Sequence, residues 1–265
     1  MRMATATGFF LASLLSLPVA AQSPSAVLAP TGTLRAVFLG DNPVHGRVDP
    51  KTGMATGTVP DLIKELARRL GVPYEIVPAP NAAGVIGALK NRTADIGFLA
   101  YDETRAREVD FGAPFLVMRN SYLVRADSPI QRSGDVDRAG ITVAAVKGQS
   151  QELFVSSHLK GARVQALPAM PPQAEVERML TSNEVQAFAI NRQRSLDAQS
   201  ASGAKLRVLA DSFLDVEQCI VVPKGDASKL APIASFLSDV RASGFIKASI
   251  DRAGIGGVDV PPPGK

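Results

Sequence analysis

Leu34-Arg35-Ala36-Val37-Phe38-Leu39, followed by Val59-Pro60-Asp61-Leu62-Ile63-Lys64-Glu65-Leu66-Ala67-Arg68-Arg69-Leu70, decides how this chain is read. The first run is short and apolar, as a buried strand is. The second sets Val59, Leu62, Ile63, Leu66, Ala67 and Leu70 at i, i+3, i+4, i+7, i+8 and i+11, one apolar stripe at the helical period. Pro60 suits a first helical turn and Gly71 a stop. Gly71 to Val77 is extended again, Val85, Ile86 and Leu89 mark a second helix, and Ile96-Gly97-Phe98-Leu99 reads as a third strand. Strands alternating with helices predict a parallel sheet with right-handed crossovers.

The pattern restarts near Gly140. Strands are predicted over Ile141 to Val146, Val164 to Leu167 and Val185 to Ile190, with helices over Ser150 to Leu159 and Gln173 to Leu180 between them. Asn120 to Arg125 and Val216 to Val222 are extended segments placed to cross between the two units. Leu230, Ile233, Ala234, Leu237 and Val240 have helical spacing and return the chain to the first unit. The expected organisation is a signal peptide over 1–21, a tether over 22–32, and a first lobe over 33–122. A second lobe over 123–218 follows, then a return to the first over 219–257 and a loose tail over 258–265. Two lobes joined by two crossings enclose a cleft, and ligands of open α/β sheets sit beyond the carboxyl ends of the strands. A single doubly wound enzyme domain is the competing architecture; the visible restart argues against it.

Arg2, the apolar stretch from Phe9 to Val19, and Val19-Ala20-Ala21 before Gln22 together have the form of a cleavable secretory signal. About a dozen apolar residues fall short of the roughly 20 that span a bilayer. With no cysteine at the cleavage site that ends that stretch, an exported protein that is not a lipoprotein is expected, located in the periplasm. At 46% apolar residues, the chain can bury substantial cores. Its net charge of +4 is spread without long basic blocks, and aromatics are 5%, which argues against nucleic-acid binding.

Catalytic signatures are absent. The two histidines, His45 and His158, lie far apart and have no partners at metal spacing, so no metal and no cofactor is expected. Neither HExxH, CxxC, GxSxG, a Walker loop nor GxGxxG occurs. His158 reads as a surface residue late in a helix. His45 follows strand one, at the expected cleft rim, and is a candidate ligand contact. Cys219 is the only cysteine and reads as a small core residue.

The first-lobe order continues through Ala94-Asp95-Ile96-Gly97-Phe98 and Thr104-Arg105-Ala106-Arg107-Glu108-Val109-Asp110-Phe111-Gly112-Ala113-Pro114-Phe115. In this the chain resembles bacterial extracellular solute-binding proteins of family 3, which deliver polar amino acids to ABC importers. The resemblance implies the two-lobed α/β fold of type II periplasmic binding proteins, and hinge closure on a small solute. It implies that Arg105, just ahead of the Asp-Phe pair, forks onto a ligand carboxylate, chemistry for which a guanidinium is well suited. Exposed Arg107 serves as the control. Backbone N–H groups at Ala100 would add donors. So would the Lys147-Gly148-Gln149-Ser150 turn, with Gln149 beside Ser150 as both helix cap and anion donor.

The chain departs from that family in two places. Asn191 stands where an acid usually meets the ligand's α-ammonium, and an amide cannot neutralise that charge. The usual sandwiching aromatics are missing: the first loop reads Gly40-Asp41-Asn42-Pro43-Val44-His45, and Tyr101 is the nearest substitute. Asp41 is the remaining candidate partner for an ammonium, with Asn42 beside it. A carboxylate or other anionic solute without a free α-amino group fits these residues best.

The expected function is therefore the substrate-binding component of an ABC importer. It is not an enzyme, and acts as a monomer whose partners are a small carboxylate-bearing solute and an inner-membrane permease. Two other readings compete with it. One is a sensor reporting a ligand in trans. The other is a cyclohexadienyl-dehydratase-like enzyme, which would draw its general acid or base from His45, Asp41, Asp102 or Glu103.

Overall fold

Helix α1 (Pro24–Leu28) leads into strand β1 (Leu34–Leu39), a small hairpin of β2 (Arg47–Val48) and β3 (Ala55–Thr56), and helix α2 (Thr58–Leu70). Then come β4 (Tyr74–Ala79), α3 (Ala82–Lys90), β5 (Ile96–Ala100) and the long strand β6 (Val109–Arg125). The second unit runs β7 (Thr142–Val146), α4 (Ser150–His158), β8 (Arg163–Leu167), α5 (Gln173–Thr181), β9 (Ala187–Asn191), α6 (Arg192–Ala201) and β10 (Leu206–Val208). It is followed by β11 (Leu214–Pro223), α7 (Leu230–Ala242), α8 (Phe245–Ala253) and β12 (Val258–Asp259). This is a computed structural model, and it describes residues 23–262. The predicted signal peptide lies outside the described residues.

The main sheet runs in the order β4-β1-β5-β11-β6-β9-β7-β8, and its two halves mirror one another. In the first half β1 is flanked by β4 and β5, all parallel, and β11 runs antiparallel beside β5. In the second half β7 is flanked by β8 and β9, all parallel, and β6 runs antiparallel beside β9. Strands β6 and β11 also pair with each other, from Val109 opposite Pro223 to Asn120 opposite Leu214. These are the two expected crossings. The carboxyl ends of β1, β5, β7 and β9 all open toward the junction between the halves, which fixes where a ligand site has to be.

The first lobe is built as its sequence predicts. Leu62, Ile63 and Leu66 of α2 lie buried against Phe38 of β1, Phe98 of β5 and Leu237 of α7, so the C-terminal helices do return to this lobe. Gly71 ends α2 in the left-handed region, φ 68°, its N–H reaching the Ala67 and Arg68 carbonyls. Asp95, 2% exposed, accepts from Arg35 at its main-chain N (3.0 Å), Nε (3.0 Å) and Nη2 (2.7 Å), tying β1 to the entry of β5. The second lobe has smaller cores on either face of its sheet, around Val143 and Ala145 and around Ala144 and Phe188.

Two expectations are corrected, and one element is added. The tether is instead ordered, with Ser23 capping α1 and Leu28 fully buried. The loose tail pairs with the sheet: Val258 lies opposite Met118, Pro261 is buried, and Arg119 holds Asp259 through Nε at 2.9 Å. Helix α6, which the sequence reading passes over, follows β9 directly. No helix of the described residues is long and apolar enough to cross a membrane.

Candidate functional site

Four of the nine predicted contacts meet in one place. Asp41 and Asn42 after β1, Gln149 before α4, and Asn191 at the end of β9 line an inner cleft of ≈ 30 Å³, together with Gln151 and Arg194. Local bonds set their poses. Asn191 caps α6, its Oδ1 accepting from the Arg194 main-chain N–H at 2.9 Å. Asn42 folds its loop into a tight turn, its Oδ1 accepting from Val44 N at 3.1 Å and its carbonyl from His45 N at 2.9 Å. Gln151, buried, donates through Nε2 to Oδ1 of buried Asn120 on the crossing strand at 2.6 Å.

Arg105 lies outside that cleft and lines a separate cavity of ≈ 460 Å³ with Ile86, Lys90, Asp102 and Gly148. It is 7% exposed and bridges the lobes, Nη1 donating to the Ala100 carbonyl and Nη2 to the Gly148 carbonyl, both at 3.0 Å. Burial lowers its pKa and the nearby Asp102 carboxylate opposes that shift; Asp102 also holds the turn by accepting from the N–H groups of Thr104 and Arg105. Ala100 thus contributes its carbonyl to orient Arg105. Its own amide points away from β11, because Tyr101 N takes the bond to Glu217 O in that antiparallel ladder.

The other predicted contacts lie apart. Ser150 is the first residue of α4 and not its cap; Gln149 occupies the cap position and makes no side-chain cap bond. Ser150 and Tyr101 line a separate groove of ≈ 780 Å³ that runs toward His158 and Glu217. Tyr101 is 47% exposed and rests edge-on against Phe111, with ring centres 5.2 Å apart. The rim placement of His45 is corrected: the Asn42 turn tucks it completely inside the first lobe. Its Nε2 meets Gln218 Oε1 at 2.8 Å, and its ring stands edge-on to Phe115. Burial lowers its pKa to about 4, against the opposing hydrogen bond to Gln218, so the ring is neutral.

Arg194 is the cleft residue that sequence reasoning misses. It reaches from α6 across the cleft to the Asp41 carbonyl, with the Asp41 carboxylate at 3.6 Å. Burial lowers its pKa, opposed first by Asp41. Further out, Arg47 faces Asp197 at 3.5 Å. Arg194, Asp41, Met170 and Ile190 also line a second cavity of ≈ 380 Å³ that continues the cleft outward. Each lobe thus extends an arginine to a carbonyl of the other. Among the described residues no cluster of His, Cys, Asp and Glu is arranged to hold a metal.

Two matching α/β halves, two crossing strands and a polar cleft between facing strand ends define a two-lobed solute-binding protein. The chain belongs to the bacterial extracellular solute-binding proteins, family 3, whose pattern matches residues 34–253. A mutant of ArgBP from T. maritima is similar at 25% identity and a TM-score of 0.70, covering 88% of this chain and 99% of that one. A putative ABC transporter binding component from Wolinella succinogenes, complexed with lysine, has a TM-score of 0.73 at 22% identity, covering 83% and 95% of the two chains, and shares the fold. The membrane-bound lytic murein transglycosylase F of Idiomarina loihiensis is 27% identical over 197 residues, 69% of this chain. This chain spans about two fifths of that relative's length, 41%.

Proposed function

We propose that the protein is the periplasmic substrate-binding component of an ABC importer, closing on a small carboxylate-bearing solute. In this reading residues 33–122 and 219–257 form one lobe, 123–218 the other, and the monomer presents its ligand to an inner-membrane permease. The carrying observation is Arg105, a buried guanidinium whose two side-chain bonds, one within its lobe and one across to the other, go to neutral carbonyls. A carboxylate is the stronger acceptor for that fork, since it adds a full opposite charge and two oxygens that match the guanidinium bidentately. A ligand that replaces the Gly148 contact touches both lobes and so favours the closed state.

Three of the four groups that a dehydratase-like reaction would draw on are otherwise engaged, and the fourth, Glu103, is exposed. His45 is buried against Gln218, Asp102 caps a turn, and Asp41 faces Arg194. This favours binding over catalysis. The test is a thermal-shift screen of the chain from Gln22 onward against amino acids and small organic acids. Ligand at a hundred times its Kd stabilises by about 2.7 kcal/mol, which for a chain of this size is a shift of about 5–10 °C. Arg105→Ala should abolish the shift, while Arg107→Ala, at an exposed position, should keep it. A carboxylate-induced shift that survives in Arg105→Ala would overturn the reading.

A further inference from the structure

We infer that Gln193 is a positioning residue: it ties the C-terminal tail, residues 254–262, to the mouth of the cleft, and through it the tail holds the two lobes closed.

Strands β6 and β11 carry the chain between the lobes, and a joint of two strands is free to bend. The tail lies across that joint. Its residues Ile255, Val258 and Val260 pack against the first-lobe core, and β12 pairs with β6 at Val117 and Met118, just before β6 reaches β9 at Asn120. Arg119 fixes the tail there, its main-chain N–H donating to Gly257 O at 2.9 Å and its Nε to Asp259 at 2.9 Å. From this position the tail reaches α6 of the second lobe. Gly256 N–H donates to Gln193 Oε1. Gly257, in the left-handed region at φ 69°, lies so close to α6 that a Cβ there would stand 2.5 Å from Arg192 Cβ.

Gln193 passes this contact on. It is 7% exposed, and while Oε1 accepts from the tail, Nε2 donates to Asp197 Oδ1 at 2.8 Å. Asp197 Oδ2 faces Arg47 of the first lobe at 3.5 Å, on the wall of the ≈ 380 Å³ cavity at the mouth. Gly256, Gln193, Asp197 and Arg47 therefore form a polar chain that leaves the first lobe at the tail and re-enters it at β2. Its two ends belong to one lobe and its middle to the other, so it is complete only when the lobes are together. Opening turns α6 away from the tail and the hairpin, breaks the Gly256 bond and parts Asp197 from Arg47. These contacts thus stabilise the closed arrangement alone, which is what shifts a two-state equilibrium toward it.

The test measures closure directly, by pulsed electron resonance between nitroxide labels at Met54→Cys in the β2–β3 hairpin and Ser200→Cys in α6. Both sites are exposed, and Cys219 is buried and stays unlabelled. The chain from Gln22 onward is refolded free of solute and studied at low ionic strength, where the mouth pairs are least screened. A short, closed distance should be populated. Gln193→Met, close in size but able to make neither bond, should lower the closed-to-open ratio about threefold or more. Gly257→Ala, which drives a methyl group into Arg192, should lower it too. Because Gln193 acts through Asp197, the effect of Gln193→Met should shrink in an Arg47→Gln background. An open distance alone in the unsubstituted chain, a ratio unmoved by Gln193→Met or by Gly257→Ala, or full additivity of Gln193→Met with Arg47→Gln each overturns the inference. No solute enters the measurement, so the carboxylate reading of Arg105 stands or falls separately.

Discussion

His45 gives a quantitative test of where the first loop places its side chains. The ring is fully buried, donates one hydrogen bond to Gln218, and has its pKa lowered to about 4 by burial. In the unfolded chain a histidine titrates near 6.5. The folded value is the lower, so between these values the unfolded state binds more protons, and stability falls as pH drops from 6.5 toward 4. Between pH 7 and pH 4.5 the loss from this one group is about 2 kcal/mol. With a urea slope of about 2–3 kcal/mol per molar, the midpoint should fall by roughly 1 M. His45→Gln removes the titration while keeping a side chain that can bond Gln218, so this component of the slope should vanish in the variant. Urea melts at both pH values, with the imidazole proton shifts followed by NMR, read it directly. A His45 midpoint at or above 6.5, or the same pH-dependent loss in His45→Gln, refutes the buried placement. Ligand affinity at pH 7 should be nearly unchanged in His45→Gln; a loss of tenfold or more would return His45 to the binding surface.

Two further outcomes follow from buried groups in the first lobe. Burial raises the Cys219 thiol to about 12, so an aromatic disulfide reagent at pH 8 should label it only after denaturant is added, and labelling of the native protein would contradict the packing. Asp95→Ala strips three donors of Arg35 of their acceptor and should cost about 2–4 kcal/mol in urea unfolding; a cost below 0.5 kcal/mol would mean the pair does not hold β1 to β5.

The fold was legible because its signals are strong and local. The α2 stripe, the apolar strands and the restart near Gly140 are set by periodicity, and tertiary packing does not override them. Helix α6 was not legible, because Arg192 to Ala201 is polar on every face and leaves no stripe to detect. Its one sequence signal was Asn191 in a capping position, which the reading treated only as a ligand contact. Missing the helix meant missing Arg194, placed one turn beyond that cap. His45 failed for the opposite reason. A polar residue in a loop reads as exposed, yet Gln218, far along the chain on a crossing strand, supplies the partner that lets it be buried. The tether and tail failed likewise: Leu28 and Pro261 find their cores only once distant strands have paired.

Arg105 and Arg194 appear as equivalent clasps, one from each lobe, but their surroundings give them different work. Arg105 donates only to neutral carbonyls, so an anionic ligand improves its bonding and draws the lobes together by that difference. Arg194 already faces the Asp41 carboxylate, and Arg47 faces Asp197 beside it, so each lobe contributes one cation and one anion to the mouth. That arrangement has no net charge and rewards closure whatever ligand is inside. Exposed pairs of this kind contribute about 0–1 kcal/mol each, enough to raise the closed population severalfold without locking it. Because apparent affinity scales with the fraction of protein able to close, the mouth sets the overall strength of binding. In the proposed reading, discrimination among solutes is left to the interior, where Arg105 reads the carboxylate.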